Sequence, residues 1–107
     1  MPSYLVETYL ARGDAGERSA RERRARSAAE ELTDGRTRIR FDHSIYVPED
    51  EICFFVFDAP SGRHAALVAQ RGELDAIRVV EAITSRKEEQ RIKTSPTTTR
   101  DEGRETR

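Results

Sequence analysis

The chain has 107 residues, 36% of them charged and 36% hydrophobic, with a formal net charge of −1. That length accommodates one small domain, and near-neutrality argues against a protein built mainly to hold nucleic acid, which carries a basic excess. The single cysteine, Cys53, excludes an internal disulfide framework and a cage of paired thiolates around zinc.

Ser3 to Leu10 is rich in strand formers, with Tyr4, Val6, Thr8 and Leu10 on one face and Leu5, Glu7 and Tyr9 on the other. Large side chains on both faces predict an internal strand. Asp14 followed by Glu17 resembles a capping box, and Ala15 to Leu32 has the propensity of a helix with a thin small-residue stripe, Ala25, Ala28, Ala29 and Leu32. Gly35 suits a left-handed helix end. The arginines of this helix, interspersed with acids, read as a solvated face rather than a phosphate site.

Arg36 to Val47 alternates strictly, setting Ile39, Phe41, His43, Ile45 and Val47 against Arg38, Arg40, Asp42, Ser44 and Tyr46. That pattern predicts a strand with one buried and one polar face. Pro48-Glu49-Asp50-Glu51 predicts a reversal. Ile52 to Phe57 is apolar on both faces and predicts a central strand covered on both sides. Pro60-Ser61-Gly62 opens a short helix over about Arg63 to Gln70, and Ala76 to Thr84 forms the last strand. The order is β-α-β-β-α-β, an α+β ferredoxin-like sandwich occupying residues 1–84, with both helices on one face of a four-stranded antiparallel sheet. From residue 85 to 107 a single apolar residue, Ile92, stands among mixed charges, which predicts a disordered tail with at most one helical turn near Arg86 to Ile92.

No apolar run approaches the roughly 18 residues of a membrane span, and no basic-then-apolar leader opens the chain. A cytoplasmic, reducing setting without a membrane is therefore the expectation. So small a core also predicts stabilisation by a partner, most simply a homodimer through the sheet face that the helices leave open.

The hairpin H-S-I-Y-V-P-E-D-E-I-C-F-F-V-F-D-A-P-S, with M-P-S-Y-L-V-E at the start and R-V-V-E-A-I near the end, resembles the proteins grouped as domain of unknown function 4242. The resemblance covers about residues 1–84. It implies a ferredoxin-like fold, dimers with sheets face to face, and, because the family includes a nickel-binding protein, a transition metal such as nickel as a ligand. The first helix here is longer and richer in arginine than the family pattern, and the second is shorter.

His43 is the leading candidate for chemistry, since imidazole on an apolar strand face suits nickel, copper or zinc. The competing reading is a hydrogen-bonded histidine at a core edge or seam. Cys53 is the second metal candidate, although a free cysteine in a covered strand usually acts as a small hydrophobe. Glu7 and Glu81 are carboxylates within apolar strands. Because the first and last strands are expected not to be neighbours, each would find a partner elsewhere, among Arg40, Arg78, Tyr9 or Tyr46, or would line a ligand cleft at the seam. Glu7, Tyr9, Tyr46 and Glu81 are thus the ligand-binding candidates. The sequence lacks a phosphate-binding glycine loop, an H-E-x-x-H pair and a nucleophile elbow. Two readings follow: a binding protein for a metal or small ligand, and an enzyme of the cofactor-independent monooxygenase or isomerase kind with a pocket between sheet and helices.

Overall fold

The computed structural model describes residues 1–85. Strand β1 (Ser3–Tyr9) leads through a 3-10 turn (Arg12–Glu17) into α1 (Arg18–Leu32), then β2 (Arg40–Val47), β3 (Ile52–Asp58), α2 (Gly62–Arg71) and β4 (Arg78–Ala82). The four strands form one antiparallel sheet in the order β2-β3-β1-β4. This is the ferredoxin-like architecture. The expected tail lies outside the described residues.

The sheet order corrects one expectation, because β1 and β4 are neighbours. Two crossovers of one hand, each over a helix, bring β3 and then β4 to opposite sides of β1. Glu7 therefore lies opposite Arg78, and Tyr4 opposite Glu81.

The core lies between the sheet and the helices. Leu10, Phe55, Phe57, Val68 and Leu74 are each at most 1% exposed. Phe41 packs between Phe55 and Phe57, with ring centroids 6.2 and 5.4 Å away, and Arg26 of α1 stacks over it at 5.2 Å. The alanine stripe of α1 is buried as its spacing predicts, which lets the helix lie close to the sheet. Gly72 serves the same closeness between helices: a Cβ there would stand 3.2 Å from Arg24 O.

Helix ends depart from the sequence reading in three places. With Gly13 and Gly16 weakening the α-helix, the segment before Arg18 winds as a 3-10 turn, and no side chain caps α1. The helix ends at Thr33, in extended conformation, whose hydroxyl lies 2.8 Å from Ala29 O and accepts from Ile39 N–H at 3.0 Å. No glycine among the described residues has positive φ, so Gly35 is not a left-handed cap; Asp34 turns the chain by accepting from the N–H groups of Arg36 and Thr37. Satisfying the backbone there holds the Asp34 carboxyl below its ordinary pKa. In α2 Ser61 is the N-cap, its Oγ accepting from His64 N–H at 3.3 Å.

Candidate functional site

The sequence alternation of β2 is strict, but the strand is not. A β-bulge interrupts the pairing between Phe41, opposite Phe57, and His43, opposite Val56. Asp42 and His43 together take the place of one residue, and the bulge shifts the frame of everything after it. Phe41 still faces the core. His43 and Ile45, expected on that face, are turned outward, with His43 exposed and Ile45 44% exposed, while Ser44 is buried in their stead. The expected start is corrected as well: the strand begins at Arg40, not Arg36.

Ser44 has a reason to be inside. Its Oγ accepts from Arg18 Nε at 2.8 Å and donates to Glu22 Oε2, and its carbonyl accepts from Arg18 at 3.0 Å. Arg18 and Glu22 converge on this hydroxyl and fasten the start of α1 to the edge strand. One inserted residue thus docks a helix on one face of the sheet and presents a histidine on the other.

On the face without helices, register places side chains in rows across the strands. One row runs Val80–Leu5–Val56–His43, and the next runs Arg78–Glu7–Phe54–Ile45. Beyond them, on one side, stand Tyr9, Ile52 and Val47, and on the other Ser3, Asp58 and Arg40. Val56 is 4% exposed, but Leu5, Phe54, Ile52 and Val47 are only half-buried, so among the described residues no second layer covers this face of β3. His43 terminates an apolar row. Its Nδ1 lies 2.8 Å from Asp42 Oδ2, and the His43 side chain is 53% exposed. The carboxylate fixes ring orientation through one nitrogen and leaves Nε2 directed away from it. Asp42 is itself held by Arg40 at 3.3 Å, and Arg40 bonds the nearly buried Asp58 at 2.9 Å. Asp58 in turn accepts from Ser3 at 2.8 Å. This chain of charge-assisted bonds raises the pKa of Arg40 and makes the end of the face rigid and polar.

The remaining candidates separate by face. Glu7 and Tyr9 share the uncovered face with His43, but each has a partner. Glu7 accepts from Arg78 at 2.9 Å, and Tyr9 Oη lies 3.3 Å from Glu51, whose charge pushes the phenol pKa up. Cys53 and Tyr46 lie on the helix side. Cys53 is fully buried and its thiol pKa is raised, chiefly by burial. Tyr46 donates to Leu10 O at 2.9 Å. Glu81 is exposed and, opposite Tyr4, belongs to the helix-side frame of β4. The sheet therefore stands between His43 and Cys53, and they do not form one site. Among the described residues no three His, Cys, Asp or Glu side chains converge as a metal ion requires. Sequence reasoning missed Asp42, Arg40 and Ser44 as members of this arrangement; the signal was D-H-S, two polar residues flanking the histidine of an apolar face.

What the fold and site define is a ferredoxin-like domain with an uncovered, partly apolar sheet face and an Asp-oriented imidazole at its edge. No protein-family model, curated protein or solved structure matches the chain, so the resemblance to domain of unknown function 4242 rests on the hairpin residues and terminal pieces quoted above. Among the described residues no helix is long and apolar enough to cross a membrane.

Proposed function

We propose that the protein is a small binding protein that self-associates through the uncovered sheet face and uses the His43–Asp42 pair as its ligand-binding group, a transition-metal ion such as nickel being the ligand. The observation carrying this is the bulge, which removes His43 from the core and holds its ring at a carboxylate beside apolar Val56. An imidazole with one nitrogen fixed by a carboxylate is the usual form of a histidine metal ligand. A single chain offers one such nitrogen, so further ligands come from a second copy laid over the face. Four strands about 4.8 Å apart and roughly 7 residues long at about 3.3 Å each give a face of about 440 Å² in plan. A standard interface buries about 800 Å² per partner, so the side-chain relief and the charged rim join the contact. The enzyme reading has less support, because the space between sheet and helices is filled by Leu10, Phe55, Phe57, Val68 and Leu74.

The test is calorimetric titration of the full chain with nickel, copper and zinc, alongside its mass by sedimentation equilibrium. Saturable binding that disappears in His43→Ala and weakens about 10- to 100-fold in Asp42→Asn is expected. Equal affinity in wild type and His43→Ala would remove the proposal. If no metal binds while the mass is that of a dimer, self-association stands and the ligand is not a metal.

A further inference from the structure

The hydrogen bond that orients His43 is local. Asp42 and His43 are consecutive residues of a bulge, and the His43 side chain is 53% exposed. Water competes for both groups, so a bond between them alone would hold the ring only part of the time. What sets this pair apart is that the other oxygen of the carboxylate is held as well. Asp42 Oδ2 lies 2.8 Å from His43 Nδ1, while Oδ1 lies 3.3 Å from Arg40 Nη2. An ionised carboxylate only accepts, so a neutral His43 donates from Nδ1 and keeps its lone pair on Nε2.

Arg40 would be a poor anchor by itself, its side chain being 61% exposed. The same Nη2 is fixed from the other side by Asp58 Oδ2 at 2.9 Å. The Asp58 side chain is 7% exposed, and its Oδ1 accepts from the hydroxyl of buried Ser3 at 2.8 Å. Register puts these groups in one line, Ser3 opposite Asp58 and Asp58 opposite Arg40. Order therefore passes outward from a buried pair on the two central strands, through one guanidinium nitrogen, to the exposed ring. The other ion pair of this face, Arg78 with Glu7 at 2.9 Å, lies on the far side of β3 and provides the contrast.

We infer that Arg40 is the positioning residue of the His43 site, anchored by Asp58 and Ser3, and that through Asp42 it selects the tautomer in which Nε2 is the ligand atom. This role rests on the reading of His43–Asp42 as the ligand-binding group. Simple electrostatics demands the opposite behaviour from Arg40. It is a positive charge one carboxylate away from a cation site, so by Coulomb repulsion alone its removal would tighten the binding of a divalent metal. Acting by holding Asp42, it weakens binding when removed, because the carboxylate is left to water and the ring to both tautomers.

The experiment uses the full chain and two readouts. The first, without metal, is the nitrogen-15 shifts of the imidazole rings by NMR, at a pH well above the ordinary histidine value of about 6.5. His64, the other histidine, whose Nδ1 lies 2.8 Å from Ser61 Oγ, is the internal reference. Wild-type His43 is expected as the Nδ1–H tautomer. In Arg40→Gln its two tautomers mix while His64 is unchanged, and Arg40→Lys, which keeps a cation between the two aspartates, restores part of the wild-type signal. Ser3→Ala loosens Asp58 without changing any charge and shifts His43 in the same direction as Arg40→Gln, whereas Arg78→Gln leaves it unchanged. The second readout is nickel affinity by calorimetry, expected to fall about 10-fold in Arg40→Gln, the lower end for an outer group that orients a histidine ligand. An unchanged His43 tautomer in Arg40→Gln overturns the proposal even where the variant is less stable, since a purely structural ion pair would behave in that way. Nickel bound as tightly or more tightly by Arg40→Gln overturns it too. A wild type that binds no nickel removes the metal reading and leaves the positioning role to be decided by the tautomer alone.

Discussion

The position of Ser44 is the most demanding consequence of the bulge, and Ser44→Ala tests it. The hydroxyl makes two bonds to ionised groups, accepting from Arg18 Nε and donating to Glu22. A hydrogen bond to a charged group contributes about 1.5–3 kcal/mol when buried. Arg18 and Glu22 are only half-buried, so water replaces part of each lost bond and about 1 kcal/mol apiece is the reasonable figure. The Arg18 bond to the Ser44 carbonyl survives the substitution. The expected loss is therefore about 2 kcal/mol, a fall in Tm of roughly 8–16 °C for a domain of this size. Urea denaturation at one fixed protein concentration, since self-association would stabilise the fold by mass action, should show a lower midpoint with unchanged slope. A double-mutant cycle with Glu22→Gln should return a coupling of at least about 0.5 kcal/mol. A loss below about 0.5 kcal/mol, or additive single effects, would mean that Ser44 is not the docking point of α1 and that the frame of β2 after Asp42 is not as described.

Four further outcomes follow from other parts of the molecule. Cys53, fully buried with a raised pKa, should react with a thiol reagent only as fast as the protein opens, and at once in denaturant; rapid native reaction would refute its placement. Phe55→Ala removes a fully buried ring and should cost about 3–5 kcal/mol by urea denaturation, whereas Gly72→Ala, pressed against Arg24 O, should cost about 1–3 kcal/mol through overpacking. The Glu31 carboxyl, bonded twice by Arg71, has its pKa lowered from an ordinary 4.5. A lowered folded-state pKa means stability fully present above the ordinary value and lost as pH falls through the folded one, so the difference between the midpoints of wild type and Glu31→Gln should be full above the ordinary 4.5 and shrink as pH falls below it.

Much of this was legible in the sequence, and the failures are specific. Period-2 and helical patterning located all four strands and both helices, because a half-buried element must repeat its apolar residues with its own geometry. The same patterning misplaced His43. Alternation assumes one residue per ladder position, and at Asp42–His43 two residues occupy one, which no count of apolar residues detects. Alternation alone therefore sets the core side of β2 where its exposed side lies, and gives Ser44, the residue that docks α1, a place in solvent. The Glu7–Arg78 pair was half legible: Arg78 stands among the partners expected for Glu7, 71 positions away in sequence, but the adjacency of β1 and β4 that joins them was not expected, although the handedness of the two crossovers requires β1 to lie between β3 and β4.

The central place of β1 has a further consequence for how the chain becomes ordered. This strand leads the chain, yet both its neighbours come late: β3 completes at Asp58 and β4 at Ala82. Among the described strands, the one pair able to close locally during synthesis is the β2–β3 hairpin, while Tyr4, Val6 and Leu10 wait for surfaces not yet made. Ordering is thus gated by contacts of long sequence separation, which slows folding, and the interval in which β1 stands unpaired is when a nascent chain is most exposed to mispairing with another. The lone carboxylate among its apolar residues, Glu7, carries a charge through that interval and meets Arg78 only when the last strand arrives.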